Sequence, residues 1–354
     1  MLKLRRGVVV ETDPLTVEVA GERRPAWADA SMVGPVEAGD EVVVNVEALD
    51  LSLGSGGFDV VHVNLTRGLE GQGLAGKHVV KLNYTSLQHA VTPMEGVAKA
   101  DAAPPVLVIP LHGHLAPAVW AAQQADPGIA IGFVQGGGGA LPGSLSRDVR
   151  RLREAGLLVG HVTAGAAHGG EHEAISLPGA IDAAAARGWD AIIVGPGPGI
   201  LGSESRLGHG GMAALDGAHA ALALGLPTLL APRLSSSDPR TRHRGLSHHS
   251  RTVLEMVLGT VRVPVPEASL AGWPLPDVGG PDAGSPQAAL DELIEICGGR
   301  HDIAVEEIDL AGYAASGLPA TTMGRPLKED PLFFAAPLAA GRALAAQIRE
   351  ASGG

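Results

Sequence analysis

From about residue 104 the chain alternates between short, almost wholly apolar runs and longer amphipathic ones. "PVLVIPL" precedes "LAPAVWAAQQA", "GIAIGFVQ" precedes "SLSRDVRRLREAG", and "LLVGHVTAG" precedes "EAISLPGAIDAAAARG". "DAIIVGP" and "PTLLAP" then lead to "MAALDGAHAALALG" and "SHHSRTVLEMVLG". Five successive strand–loop–helix units predict an α/β fold with a parallel sheet, because each helical crossover returns the chain in the same direction. Strands that are continuously apolar, rather than alternating, predict helices on both faces of that sheet. Upstream, "RGVVVET", "LTVEVAG", "DEVVVNVEAL" and "FDVVHVNL" are β-branched runs separated by Asp, Pro and Gly. They predict a small β-barrel-like domain over residues 1–95, ahead of the α/β domain at 104–354. Residues 264–286 form a Pro/Gly-rich connection without periodicity. Beyond it, "QAALDELIEICGG" and "DPLFFAAPLAAGRALAAQIREA" predict helices, the second with Pro337 near its first turns. "DIAVEEID" and "PATTMG" offer two further strands.

Composition narrows the function classes more than the fold. Aromatic residues are only 3% of the chain, so alanine, valine and leucine must fill the core. A net charge of -12 argues against general binding to nucleic acid or an anionic membrane, both of which need a positive surface. The single cysteine, Cys297, excludes an internal disulfide and suits a reducing compartment; its place in a helical run predicts a packed thiol. The start "MLKLRRGVVVE" lacks a signal-peptide pattern, and no apolar run approaches the ~18 residues of a membrane span. A cytoplasmic location, with a small ligand and a possible homo-oligomer as partners, is the expectation.

In parallel α/β sheets, ligands bind beyond the carboxyl ends of the strands. The segments following the five strands are "HGHLAP", "QGGGGALPGS", "AGAAHGGEHE", "GPGPGILGSESRLGHGG" and "RLSSSDPRTRHRGLSHHSRT". The connections at the other end, such as "ADPG" and "LGLP", are plain. That asymmetry predicts one functional edge. Gly137 and Gly138 in the first Gly-rich loop, and Gly197 and Gly199 in the second, would offer backbone N–H groups to an anion. Tight turns explain the same glycines, and neither loop matches a nucleotide-binding fingerprint.

The 233–252 stretch concentrates arginine, histidine and hydroxyl residues. Ser247 is placed to cap the following helix, which puts His248 and His249 in its first turn. Arg240, Arg242 and Arg244 lie just upstream, at a helix end whose partial charge favours anions rather than cations. The missing anion would be the ligand, a phosphate or carboxylate held by Arg240 and Arg244. The competing expectation pairs these arginines with Asp238, Glu204 or a neighbouring subunit's carboxylates. His248 or His249 would transfer protons, with Glu171 orienting a histidine or holding a metal. A divalent metal would draw on His112, His168 and Glu173, although no HExxH or Cys pair is present. A Ser–His–acid arrangement would use Ser203 or Ser144, but the GxSxG turn is absent. His62, His78, His89 and His301 lie away from this edge and read as structural.

Three segments, "VGPGPGILGSESRLGHGG", "PRLSSSDPRTRHRGLSHHS" and "ATTMGRPLKEDPLFF", together resemble a bacterial family defined only as a domain of unknown function. The similarity runs over nearly the whole chain, including "GDEVVVNVEALDLSLGSGG". The resemblance implies no activity or cofactor. By motif position it points to Glu171, Glu173, the Gly195–Ser203 loop, Asp238, Arg240, His243, Arg244, Ser247, His248, His249 and Arg325. It implies no histidine at positions 114 and 172, which argues against a metal site on His114 and His172. The expected function is that of an enzyme, a hydrolase or transferase, acting on a small anionic ligand of the phosphorylated-metabolite or nucleotide type. The alternatives are a non-catalytic regulatory protein binding the same anion, and a structural oligomeric protein.

Overall fold

The computed structural model describes residues 1–52, 57–97, 103–267 and 286–352. Its contacts divide the chain into two compact units, Met1–Thr92 and Pro93–Gly354. Most of the Pro/Gly-rich connection predicted at 264–286 falls at 268–285, outside the described residues; residues 264–266 end a strand.

In the first unit β1 (Leu4–Thr12), β2 (Leu15–Val19) and β3 (Glu22–Trp27) form an antiparallel meander. A one-turn helix α1 (Ala30–Val33), strand β4 (Glu41–Asn45), a second turn α2 (Glu47–Asp50) and β5 (Asp59–Asn64) follow. The strands close into a barrel in the order β1-β2-β3-β5-β4, with β4 pairing back onto β1. Closure leaves no unpaired strand edge within the barrel. Alternate residues Val9, Val17, Val19, Val42, Val44 and Val61 point inward and make its core. Strand β3, "ERRPAW", carries no such alternation, which is why the sequence pattern predicts four strands here and the barrel has five. Charge holds it instead. Arg24 on β3 donates to both carboxylate oxygens of the buried Asp59 on β5, at 2.6 and 3.0 Å, and to Asp50 at 2.6 Å. A hairpin of β6 (Val79–Lys81) and β7 (His89–Val91) completes this unit.

The second unit is built on eight strands: β8 (Val106–Val108), β9 (Ile131–Gly136), β10 (Gly160–Ala164), β11 (His172–Ala174), β12 (Ala191–Pro196), β13 (Thr228–Leu230), then, after two short pieces β14 (Leu234–Ser235) and β15 (Gly245–Leu246), β16 (Arg262–Pro266) and β17 (Asp302–Glu306). Strands β14 and β15 pair only with each other; the other eight form one sheet, order β11-β10-β9-β12-β8-β13-β16-β17. Every neighbouring pair in it is parallel. All loops that follow strands therefore leave from one edge.

Three helices, α3 (Leu115–Ala125), α4 (Arg147–Glu154) and α5 (Leu177–Ala186), link the first five of these strands. Then come α6 (Ala213–Ala223), α7 (His248–Met256), α8 (Pro286–Cys297) and the short α9 (Leu310–Ala315). A two-residue pair, β18 (Thr321–Thr322) and β19 (Arg325–Pro326), precedes the closing helix α10 (Pro331–Ser352). Strand side chains alternate between two cores, as pleating requires. Val106, Val108, Ile192 and Val194 pack with α5, α6, α7 and α8. Leu107, Ile109, Phe133 and Ile193 pack with α3, α4 and the C-terminal half of α10. The sheet is thus covered on both faces. Cys297 is buried in the first of these cores, where burial pushes its thiol up to about 11.

Two local departures matter for the site. The run "EAISLPG" does not begin a helix: His172–Ala174 adds the edge strand β11, and Ser176 caps α5 by accepting from the Gly179 N–H, with Pro178 in the first turn. And α10 has the length and composition of a bilayer span over Pro331–Ala351, which the sequence pattern missed; 78% of its apolar window is buried inside the protein, so here it is a core helix.

Strand β8 starts the sheet in its middle. From it the chain passes through α3 and α4 to β9 and β10, returns through α5 to β12 beside β8, and crosses by α6 to β13 on the far side. The adjacent strands β12 and β8 therefore send their loops to opposite faces of the sheet. Such a reversal opens a crevice at the carboxyl ends of the strands.

Candidate functional site

The 231–247 loop leaves β13 and folds back as the β14–β15 pair, in register Leu234↔Leu246 and Ser235↔Gly245. That pairing brings Asp238 under the loop, where it is 0% exposed. Arg240 grips its carboxylate in a fork, Nε to Oδ1 at 2.9 Å and Nη2 to Oδ2 at 2.8 Å, and Arg233 donates to Oδ2 at 3.1 Å. Arg325, arriving on β19, lies 3.6 Å from the same oxygen and donates to Asp330 at 3.0 Å. Asp330 is also 0% exposed; it accepts from Ser235 Oγ at 2.6 Å and from the Ser236 N–H at 2.8 Å. Burial alone would raise the pKa of Asp238, but hydrogen bonds from Arg240 and the positive charge around it hold it well below the usual carboxylate range. Arg233, 6% exposed, is pulled down to about 10 by burial against the attraction of Asp238, and stays charged at neutral pH.

Arg240 is therefore not the free anion clamp that the spacing suggests. It follows the competing expectation and is tied to Asp238, while Arg242 lies 3.7 Å from Glu204. Arg244 differs. Its Nε donates to the Asp238 backbone carbonyl at 3.3 Å, and no carboxylate among the described residues lies within ion-pair distance of it. Arg325, expected to return to this edge, joins the network directly.

Four imidazoles meet beside these arginines. Ser247 caps α7 through the His249 N–H at 3.3 Å and shares a 2.8 Å hydrogen bond with His243 Nδ1. His209 arrives from the loop after β12 and stacks on His249, ring centroids 3.6 Å apart and planes 11° from parallel. His248 lies 4.3 Å from His249 and 5.2 Å from His209; His243 lies 4.7 Å from His249. Burial, reinforced by Arg233 and the neighbouring rings, lowers all four pKa values, to about 3 for His243 and about 2 for His249. These imidazoles are neutral at physiological pH. His249 cannot shuttle protons near neutrality as expected from an ordinary histidine; it can only offer a lone pair or an N–H.

The two Gly-rich loops pack on each other. Gly139 bridges to Ile200, Ala140 N–H donates to the Gly199 carbonyl at 2.9 Å, and Leu141 N–H to the Pro198 carbonyl at 3.2 Å. A Cβ at Gly138 would meet the Gly210 carbonyl at 2.5 Å, and one at Gly197 would run into the Gln135 amide. Gly199 has φ +76°, a left-handed conformation that disfavours any side chain. Loop packing thus accounts for Gly138, Gly197 and Gly199. Gly137 is different: nothing lies within 4 Å of its Cβ position, and it lines a cavity of about 270 Å³. That cavity opens over the ends of β9, β10 and β12 and is also bordered by Gly165, Leu177, Ala213 and Asp216. The turn from His209 to Ala213 borders both the imidazoles and the cavity.

A family model described as protein of unknown function (DUF3866) matches residues 25–341. The chain belongs to that family. No curated protein and no solved structure matches it. The matched range takes in the whole arginine–carboxylate network and all four clustered histidines, so the site described above lies within the DUF3866 region.

The remaining candidates of this DUF3866 chain lie elsewhere. His112 Nδ1 faces the Pro196 carbonyl at 3.3 Å, so that nitrogen carries the proton and Nε2 accepts from Ser146 Oγ at 2.7 Å. Both nitrogens are used, which removes His112 as a metal ligand. Glu173 accepts from Thr163 Oγ1 at 2.6 Å and the Gly169 N–H at 2.8 Å, tying the loop after β10, which also carries His168. Glu171 is paired with Arg153 at 2.7 Å and orients no histidine. Ser203 is exposed and donates to the Gly208 carbonyl at 3.1 Å, closing a turn; Ser144 is exposed too. His301 bonds the Leu254 carbonyl at 3.0 Å and is structural. Among the described residues, the group of three His, Cys, Asp or Glu side chains placed to share one ion is His209, His248 and His249, not His112, His168 and Glu173. His209 was illegible as a candidate because it stands among glycines in "RLGHGG", and Asp330 because the loop residues it joins, Ser235 and Ser236, are more than 90 residues upstream.

Acid will expose two more buried histidines. His114 is 0% exposed, packs edge-on against Phe333 and has no hydrogen-bond partner among the described residues; burial pushes it to about 3. His161, stacked on Phe133, is likewise pushed by burial to about 3. In the unfolded chain both titrate near 6.5. Their contribution is complete above that pH and is lost as pH falls from about 6.5 toward 3, at about 1.4 kcal/mol per pH unit for each group. Urea midpoints should hold above neutrality and drop at about pH 5, and His114→Leu should flatten that slope by one proton's worth. An unchanged slope in the variant would contradict the assignment.

Proposed function

We propose that this chain is an enzyme of the hydrolase or transferase type whose substrate is a small anion, phosphorylated or nucleotide-like, bound at the carboxyl edge of the sheet. The observation that carries the reading is an imbalance of charge around two buried carboxylates. Three guanidiniums, Arg233, Arg240 and Arg325, face two carboxylates, Asp238 and Asp330, and Arg244 adds a fourth cation without a carboxylate of its own. Arg233 Nε is buried without a hydrogen-bond partner among the described residues. A surplus of fixed positive charge next to unsatisfied donors is stabilised by an incoming anion, and the same donors stabilise negative charge that develops during group transfer. The adjacent imidazoles, being neutral, supply lone pairs that can hold an electrophile. The cavity beside Gly137 gives the body of a small ligand room.

Arg244→Ala should weaken binding of orthophosphate or a phosphomonoester by about 1.5–3 kcal/mol, the worth of a hydrogen bond to a charged group, with little change in the melting temperature. Isothermal titration and a phosphoester turnover panel with added divalent metals check it. Intact anion affinity in a destabilised variant would make Arg244 a structural tie and remove the reading. Ligand-dependent stabilisation without turnover of any ester would replace the enzyme with a binding protein.

A further inference from the structure

The histidines around α7 carry more information than a pool of neutral bases. His209 Nε2 lies 3.0 Å from the Arg206 carbonyl, an atom that can only accept. Nε2 therefore holds the proton, and in a neutral ring Nδ1 is left with its lone pair. That Nδ1 is buried with no partner among the described residues, and so is His248 Nε2. Buried polar atoms are almost always satisfied, so two orphans in one cluster call for a missing group. The Cβ position of Gly211 locates a third nitrogen: it lies 3.0 Å from both His209 Nδ1 and His249 Nδ1. One nitrogen from each of these three rings lies within 4.8 Å of the others.

We propose that His209, His248 and His249 bind a single transition-metal ion of the zinc class. The donor set selects the class: three imidazoles and no carboxylate suit zinc, cobalt, nickel or copper and not magnesium or calcium. The Arg206 carbonyl does for His209 what outer partners do for ligating histidines generally, fixing the tautomer and aiming the other nitrogen inward. Ser247 holds the start of α7, from which both other ligands project. Lowered pKa values fit the role, since the rings need not lose a proton to bind. His209 and His249 are stacked, so their lone pairs run side by side; binding turns one ring about its soft Cβ–Cγ torsion to make them converge. Three neutral ligands leave the ion's two charges uncompensated, beside an arginine network already in surplus. The group completing the coordination is therefore anionic. On that point alone the proposal rests on the functional reading above, and it gives the imidazole lone pairs a metal rather than a proton.

The test uses the full chain, stripped with EDTA and dialysed against Zn2+ or Co2+. The expected result is one ion per chain by elemental analysis, with the visible absorption of low-coordinate Co2+. His209→Ala and His249→Ala should each weaken binding by at least about 100-fold, more than the 10–100-fold typical of losing an outer partner. Gly211→Ala keeps every ligand but puts a methyl against two of them, so it should weaken binding while leaving the circular dichroism spectrum unchanged. His172→Asn, in the edge strand, should bind as the parent does. Failure of the folded parent to bind either ion overturns the proposal, as does binding that ignores His209→Ala, His249→Ala and Gly211→Ala. Orthophosphate titration of the stripped protein separates the two readings: phosphate affinity that depends on Arg244, without metal binding, ends the metal site and leaves the anion site standing.

Discussion

Asp238→Ala will lower the stability of the protein by about 3–5 kcal/mol, the cost of removing one partner from a buried ion pair. The carboxylate is fully buried and takes hydrogen bonds from the Arg240 backbone N–H and guanidinium and from Arg233, with Arg325 at 3.6 Å. Without it Arg233, 6% exposed, faces Arg240 and Arg325 with only Asp330 left to oppose three positive charges. The backbone suffers as well, since Asp238 Oδ1 satisfies the Arg240 N–H. Urea unfolding with an unchanged m value measures the loss cleanly. The contrast with Arg244→Ala is the informative part, because this half-buried arginine has no carboxylate and one long hydrogen bond, so its loss should cost no more than about 1 kcal/mol. If both variants unfold alike, the distinction between tie and clamp fails; if Asp238→Ala costs less than about 1 kcal/mol, the network is solvated and the charge argument fails with it.

The parallel sheet was legible because its strands are continuously apolar, a pattern that only two covered faces produce. Strand β3 was not, because its place in the barrel comes from Arg24 reaching Asp59, 35 residues away, and not from alternation. The basic stretch was legible in part. Counting arginines between a strand and a helix picks out the loop after β13 that carries the arginine–carboxylate network, with Asp238 and Glu204 among the partners it suggests. It gives no sign of Asp330, which meets Ser235 and Ser236 of this loop only after α8, β17 and α9 have intervened. Glycines misled in a related way. Gly138 and Gly197 resemble anion-binding positions in sequence, yet each is small so that one loop can lie against its neighbours, whereas Gly137 faces open space. The chemistry assigned to histidine also changed with burial: a residue that titrates near neutrality in water stays neutral in His249, buried beside three other rings and the charge of Arg233.

At the opposite edge of the sheet, Trp189→Ala will destabilise the fold by about 3–5 kcal/mol while leaving the site's ligand affinities unchanged in the folded fraction. Trp189 precedes β12 and is 8% exposed, its indole lying across the starts of β9 and β10. Both strands accommodate it by having no side chain there. A Cβ at Gly160 would come within 2.6 Å of Trp189 Cζ2, and one at Gly132 would run into the indole ring. Gly132→Val should therefore cost about 1–3 kcal/mol through overpacking. The two changes are not independent, because valine at 132 enters space that the indole vacates. Gly132→Val combined with Trp189→Ala should be less destabilised than the sum of the single variants by at least about 1 kcal/mol, a coupling expected of residues in direct contact. Additive losses would show that the indole does not occupy the glycine groove. A fall in anion or metal affinity in folded Trp189→Ala would show instead that the two edges communicate through β12, whose far end opens into the loop that carries His209.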